Sequence, residues 1–108
     1  MLQERKKSEF IKKLSLVLRE IIDDHKIIIT ILDVNLPSKK GNMIIYLSVF
    51  PDVKIFEVIE ILKKEIPKIK KIIKKMRILR YIPKKIFFRY DQSLKSMEEI
   101  DKIFRVIN

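Results

Sequence analysis

The chain has 108 residues, a formal net charge of +11 and 47% hydrophobic residues. That size and apolar content fit one domain with its own modest core and exclude a disordered basic tail. With no Cys, a single His (His25) and a single Gly (Gly41), disulfides, Cys- or multi-His metal sites, Ser-His or Cys-His nucleophilic sites, the P-loop and the dinucleotide-binding turn are all excluded.

From Ser8 to about Asp23, apolar residues recur at Phe10, Leu14, Val17, Leu18 and Ile21. This spacing predicts a helix with one buried face, with Ser8 as its N-cap. Ile27–Leu36 is short and rich in β-branched residues, and Met43–Phe50 reads the same way; both are expected to be strands. The turn residues from Pro37 to Asn42 lie between them and predict an antiparallel hairpin. After Pro51, Asp52 is expected to cap the next helix.

The longest pattern comes next. Ile55, Ile59, Leu62, Ile66, Ile69, Ile73 and Met76 recur at spacings of 4, 3, 4, 3, 4 and 3, one apolar stripe on a helix. Pro67 sits within it and removes the hydrogen bond to the Lys63 carbonyl. Because the stripe keeps its phase across Pro67, the expectation is a kink there and not a chain break. Lys85–Tyr90 is expected as a third strand, with Phe87, Phe88 and Tyr90 read as core. A last helix is expected over about 96–106, where Met97, Ile100, Ile103 and Phe104 have helical spacing. The order α-β-β-α(kink)α-β-α gives an α+β fold. A helical crossover makes the second and third strands parallel neighbours. The expected architecture is a three-stranded mixed sheet with helices on one face, in a single domain over 1–108.

The charge is concentrated. Residues 63–89 hold twelve basic side chains and one acid, Glu65, while the 13 basic and 13 acidic residues elsewhere cancel. A Lys- and Ile-rich codon bias accounts for abundant lysine, but not for the loss of acids from one segment. Lys64, Lys68, Lys71 and Lys75 fall about 180–240° from Leu62 at ~100° per residue, opposite the apolar stripe. Lys63, Lys70 and Lys74 flank it. With Arg77, Arg80, Lys84 and Lys85 they mark the footprint of a polyanion, most often nucleic acid. Tyr81 reads equally as a base-stacking side chain or as a half-buried anchor. His25 reads as a helix-end or exposed residue, and Asp23 and Asp24 as solvated.

Three stretches together resemble the ribosome-binding factor A family, whose fold is a type II KH domain. Thr30-Ile31-Leu32-Asp33-Val34 followed by Tyr46-Leu47-Ser48-Val49-Phe50 is similar to its first hairpin. Arg77-Ile78-Leu79-Arg80-Tyr81-Ile82-Pro83 resembles its basic segment before the last strand, and Asp91-Gln92-Ser93 with Ile100-Asp101 resembles its ending. Two places differ. Glu65-Ile66-Pro67 stands where the family has Ala-x-Gly, and Pro37-Ser38-Lys39 replaces its turn. The lone Gly also leaves no room for the GxxG loop of ordinary KH domains.

The resemblance implies a non-enzymatic KH-like assembly factor, linked to growth in the cold. It would bind the immature small (30S) ribosomal subunit and assist 16S rRNA maturation near the 5′ end. The expected RNA-binding residues are Lys64, Lys68, Lys71, Lys74, Lys75, Arg77, Arg80, Tyr81, Lys84 and Lys85, with Pro67 as the kink. No cofactor, metal or small-molecule substrate is expected. The protein is expected to be cytoplasmic, since it has neither an apolar run that could span a bilayer nor a signal-peptide core at its start, and it is expected to be a monomer. A general RNA chaperone without ribosomal preference is the alternative. A basic helix lying on a membrane is disfavoured, because its apolar stripe is needed for the core.

Overall fold

The computed structural model describes residues 2–35 and 41–90. Helix α1 (Leu2–Ile22) leads into strands β1 (Ile28–Asn35) and β2 (Met43–Phe50). A 3-10 turn (Asp52–Lys54) precedes helices α2 (Ile55–Lys64) and α3 (Ile66–Met76), and β3 (Ile86–Tyr90) closes the order. The sheet runs β1-β2-β3, with β1 antiparallel to β2 and β3 parallel to β2. This is the expected α+β architecture with a three-stranded mixed sheet, and it is consistent with a KH-like fold. The expected helix at about 96–106 and part of the hairpin turn lie outside the described residues.

One face of the sheet presents Ile29, Ile31, Val34, Met43, Ile45, Leu47, Val49, Ile86 and Phe88, all buried. Phe10, Leu14 and Leu18 from α1 meet them, as do Ile55, Val58 and Leu62 from α2 and Ile69 and Ile73 from α3. No polar or charged side chain is buried among the described residues. Burying an unpaired charge is costly, so each lysine on these helices is held to the outside by the apolar stripe beneath it. Val58 joins the core, although the regular stripe read from the sequence passed over it.

Strand β1 does not alternate cleanly because it contains a bulge. Ile31 pairs with Leu47 and Asp33 with Tyr46, leaving Leu32 as the extra residue. The bulge shifts the inward phase from Ile29 and Ile31 to Val34. Asp33 stays exposed and forms an ion pair with Lys7 of α1 at 2.7 Å, while the Val34 N–H donates to its Oδ1 at 2.9 Å. The Lys7 hydrogen bond, helped by that backbone donor, holds the Asp33 carboxyl below its ordinary range despite some desolvation.

Several expectations shift. Ser8 lies inside α1, which starts six residues earlier, so it is not the N-cap. Asp52 is the first residue of the 3-10 turn, and the residue before α2 is Lys54, so Asp52 is not the cap of that α-helix. The helix–kink–helix layout is present, but its break falls at Glu65, two residues before Pro67. Glu65 ends α2 with its N–H on the Leu62 carbonyl, and its own carbonyl accepts the first α3 bond from Ile69 at 2.9 Å. Pro67 therefore occupies the first turn of α3, where proline is well tolerated, and not a helix interior. Phe88 is core as expected, whereas Phe87 points to the other side of the sheet and is 45% exposed.

The Asp33 carboxyl titrates lower in the fold than in the unfolded chain. Its stabilising contribution is therefore present above the ordinary carboxylate value and is lost as pH falls through the depressed one. Asp33→Asn is expected to lower stability at neutral pH by under ~1 kcal/mol, because the pair is solvent-exposed. Urea midpoints of variant and parent should converge as pH falls through the depressed Asp33 value.

Candidate nucleic-acid interface

The basic residues named from the sequence lie on three consecutive parts of the chain. Lys64 ends α2, and Lys68, Lys71, Lys74 and Lys75 are exposed along α3. Arg77, Arg80, Lys84 and Lys85 are exposed on the segment joining α3 to β3, and Tyr81 on the same segment is half-buried. The ion pairs among the described residues involve Lys7, Lys13 and Lys54. None involves a basic residue of α3 or of the segment after it. Among the described residues no ion pair neutralises those charges, an arrangement that costs self-repulsion and suits a polyanion.

The joining segment is held at several points. Pro83 is buried. The Lys84 N–H donates to the Gly41 carbonyl at 3.2 Å, and the Met43 N–H donates to the Lys85 carbonyl at 2.8 Å, extending the β2–β3 pairing backwards. The ammonium of Lys70 donates to the Lys84 carbonyl and so ties α3 to the segment. Lys70 thus acts as a clamp between these two basic parts. Helical periodicity could not reveal this, because the partner is a backbone atom fourteen residues away.

Arg77 is the C-cap of α3 and takes the left-handed conformation, with φ 56° and ψ 28°. Glycine is usual where a helix turns this way, because a Cβ there costs energy. Arginine at this position turns the chain sharply away from the helix axis while adding a charge beside Lys74 and Lys75. The Arg80 guanidinium lies over the Tyr81 ring at 5.5 Å from its centroid, a cation–π contact that orients both. Tyr81 is thus half-buried, as the anchor reading has it, and its ring faces the Arg80 guanidinium.

The carboxylates Asp23 and Asp24 belong to a different feature. Asp23 ends α1 with a positive φ of 42°, its N–H on the Arg19 carbonyl. Asp24 Oδ1 accepts from the Lys26 N–H at 2.9 Å, closing the turn into β1, where His25 is exposed. Among the described residues no cluster of three or more candidate metal ligands forms, and no helix is long and apolar enough to cross a membrane.

A family model described as Ribosome-binding factor A matches residues 2–104, nearly the whole chain. The chain belongs to the ribosome-binding factor A family. A search of curated proteins finds no match. Membership identifies a ribosome-associated factor, and in this member of the family the free basic surface of α3 and the segment to β3 is the candidate contact.

Arg77→Gly separates folding from binding. Removing the left-handed Cβ is expected to raise stability by ~1 kcal/mol, read from the urea midpoint. The same change should weaken RNA binding and reduce its salt slope by about one unit. Weaker binding by a more stable protein would identify Arg77 as a contact.

Proposed function

We propose that the chain binds the immature small ribosomal subunit through α3 and the basic segment after it, and assists maturation of 16S rRNA near its 5′ end. The observation that carries this is the clamped, uncompensated row of basic side chains in a member of a ribosome-binding family. Lys64, Lys68, Lys71, Lys74 and Lys75 would lie along an rRNA backbone as point charges, while Arg77 and Arg80 offer bidentate donors to phosphate. Lys84 and Lys85 extend the row to the start of β3. The break at Glu65 with Pro67 sets the direction in which α3 leaves α2, and so the angle between Lys64 and the remaining lysines.

The action is stoichiometric and not enzymatic. Binding favours one rRNA conformation during assembly, and release comes when that site is remodelled. Phosphate contacts supply affinity. A-form RNA is read mainly by its shape, so the fixed geometry of helix and segment supplies selectivity. The working compartment is the cytoplasm, where small subunits are assembled.

Sedimentation of a cell lysate tests the partner. Co-migration with free small subunits is expected, and a protein found only at the top of the gradient or only with translating ribosomes would refute the reading. A titration tests the surface. With about five phosphate contacts, a log–log plot of affinity against salt should have a slope of about −3.5 to −4.5. Changing Lys68, Lys71 and Lys75 to Gln should flatten it by about 2–3 units without unfolding the protein. The exposed residues Lys6, Lys12 and Lys26, changed together, remove the same charge elsewhere and should alter the slope much less. Equal effects would reduce the interaction to net charge and leave only a general RNA-binding protein.

A further inference from the structure

Ile28 of β1 pairs with Phe50 of β2, so the turn from α1 into β1 and the turn from β2 into α2 meet at one end of the sheet. Phe50, Val53 and Phe56 are 69%, 79% and 79% exposed there, and Ile28 is 55% exposed. The 3-10 turn fixes this run, with the Lys54 N–H donating to the Pro51 carbonyl at 3.0 Å. Two phenyl rings and two aliphatic side chains are thus left in water at one end of a small domain. Apolar exposure gathered in this way marks a contact surface.

Charge also sets this end apart. Residues 19–28 and 50–60 hold six acids against Arg19, Lys26 and Lys54. Glu57 and Glu60 are exposed beside Phe56 on α2, and Glu20 is exposed near the end of α1. Glu57 meets Lys54 at 3.4 Å, a weak surface pair. An open cavity of about 380 Å³ between the end of α1 and the start of β1 is lined by Leu16 and Ile27, by Arg19, and by Glu20, Asp23 and Asp24. The basic surface lies towards the other end of β2, where Lys84 and Lys85 bond Gly41 and Met43. The strand between the two ends is about 24 Å long.

We propose that this acidic, apolar end docks a basic segment of a partner protein, one that carries bulky apolar side chains among its lysines or arginines. Phe50, Val53 and Phe56 would receive the apolar side chains, and the carboxylates around them the cations. The excess of carboxylate repels phosphate, which disfavours a nucleic acid or an anionic lipid surface here. A second copy offers cations on α3, but none of the large exposed apolar side chains belongs to α3. Two copies, each with a net charge of +11, also repel one another. This inference is independent of the rRNA reading, because it uses none of the residues assigned to RNA.

The probe is a short synthetic peptide of lysines and leucines in a two-to-one ratio, titrated into the nitrogen-15-labelled full chain and followed by NMR. Saturable binding is expected, with amide shifts concentrated at 19–28 and 50–60. An all-lysine peptide of the same length has more charge and no apolar side chain, and should bind about tenfold more weakly. Phe50→Thr with Phe56→Gln removes both rings without altering charge, and Glu20→Lys with Glu60→Lys reverses charge without altering the rings. Each pair should weaken the lysine–leucine peptide about tenfold. Urea midpoints close to the parent's are expected, because all four side chains are exposed. No saturable binding, equal affinity for the all-lysine peptide, shifts centred elsewhere, or unchanged affinity in either pair would overturn the proposal. Sedimentation velocity of the chain alone should show a monomer. Self-association that the Phe50→Thr, Phe56→Gln pair abolishes would assign the surface to a second copy and also overturn it. An RNA hairpin should shift α3 and the segment after it and leave 50–60 unmoved; RNA shifts centred on 50–60 would equally refute the assignment.

Discussion

The structure depends on a single sheet whose apolar face is larger than any one helix can cover. Three strands expose Ile, Val, Leu, Met and Phe side chains on that face, and three helices are needed to keep water from it. The third helix brings the most charge. It buries Ile69 and Ile73, half-buries Ile66, Ile72 and Met76 beside them, and turns Lys68, Lys71, Lys74 and Lys75 to solvent. The basic surface is therefore not an addition to the fold. It is the outer side of an element that the core requires, so its direction is set by hydrophobic packing and not by the charges themselves.

What the charges do need is a fixed continuation beyond the helix. Arg77 turns the chain, Pro83 buries itself, and backbone bonds to Gly41 and Met43 fasten the segment to the sheet. Lys70 gives up its own freedom to hold the Lys84 carbonyl. The remaining cations then sit on a scaffold that loses little conformational entropy on meeting a rigid partner.

Much of this was legible in the sequence, for one reason: strong periodicity. The unbroken stripe from Ile55 to Met76 fixed which lysines face outward, and the short β-branched runs gave β2 to the residue and β1 and β3 within one residue at each end. Features that depend on single backbone conformations were not legible. The bulge at Leu32 looks in sequence like a run without alternation. The positive φ of Asp23 and Arg77 has no glycine to announce it. Proline drew attention to position 67, yet the helix breaks at Glu65, because proline removes the N–H that would have bonded four residues back and its own position suits a first turn. Phe87 looked like core beside Phe88, but strand alternation sends neighbours to opposite faces.

The parallel pairing of β2 with β3 has a further consequence, for the order of folding. The β1–β2 hairpin joins neighbours in sequence, whereas β3 reaches β2 only after residues 51–85 have been gathered into a closed loop. Contacts of that range form late, because the entropy of closure comes before the reward. The anchors of the basic segment at Gly41 and Met43 belong to the same late step. A nascent chain can thus hold its hairpin and helices while its basic surface is still unassembled, and on the proposed reading recognition competence becomes a report that the last strand has docked.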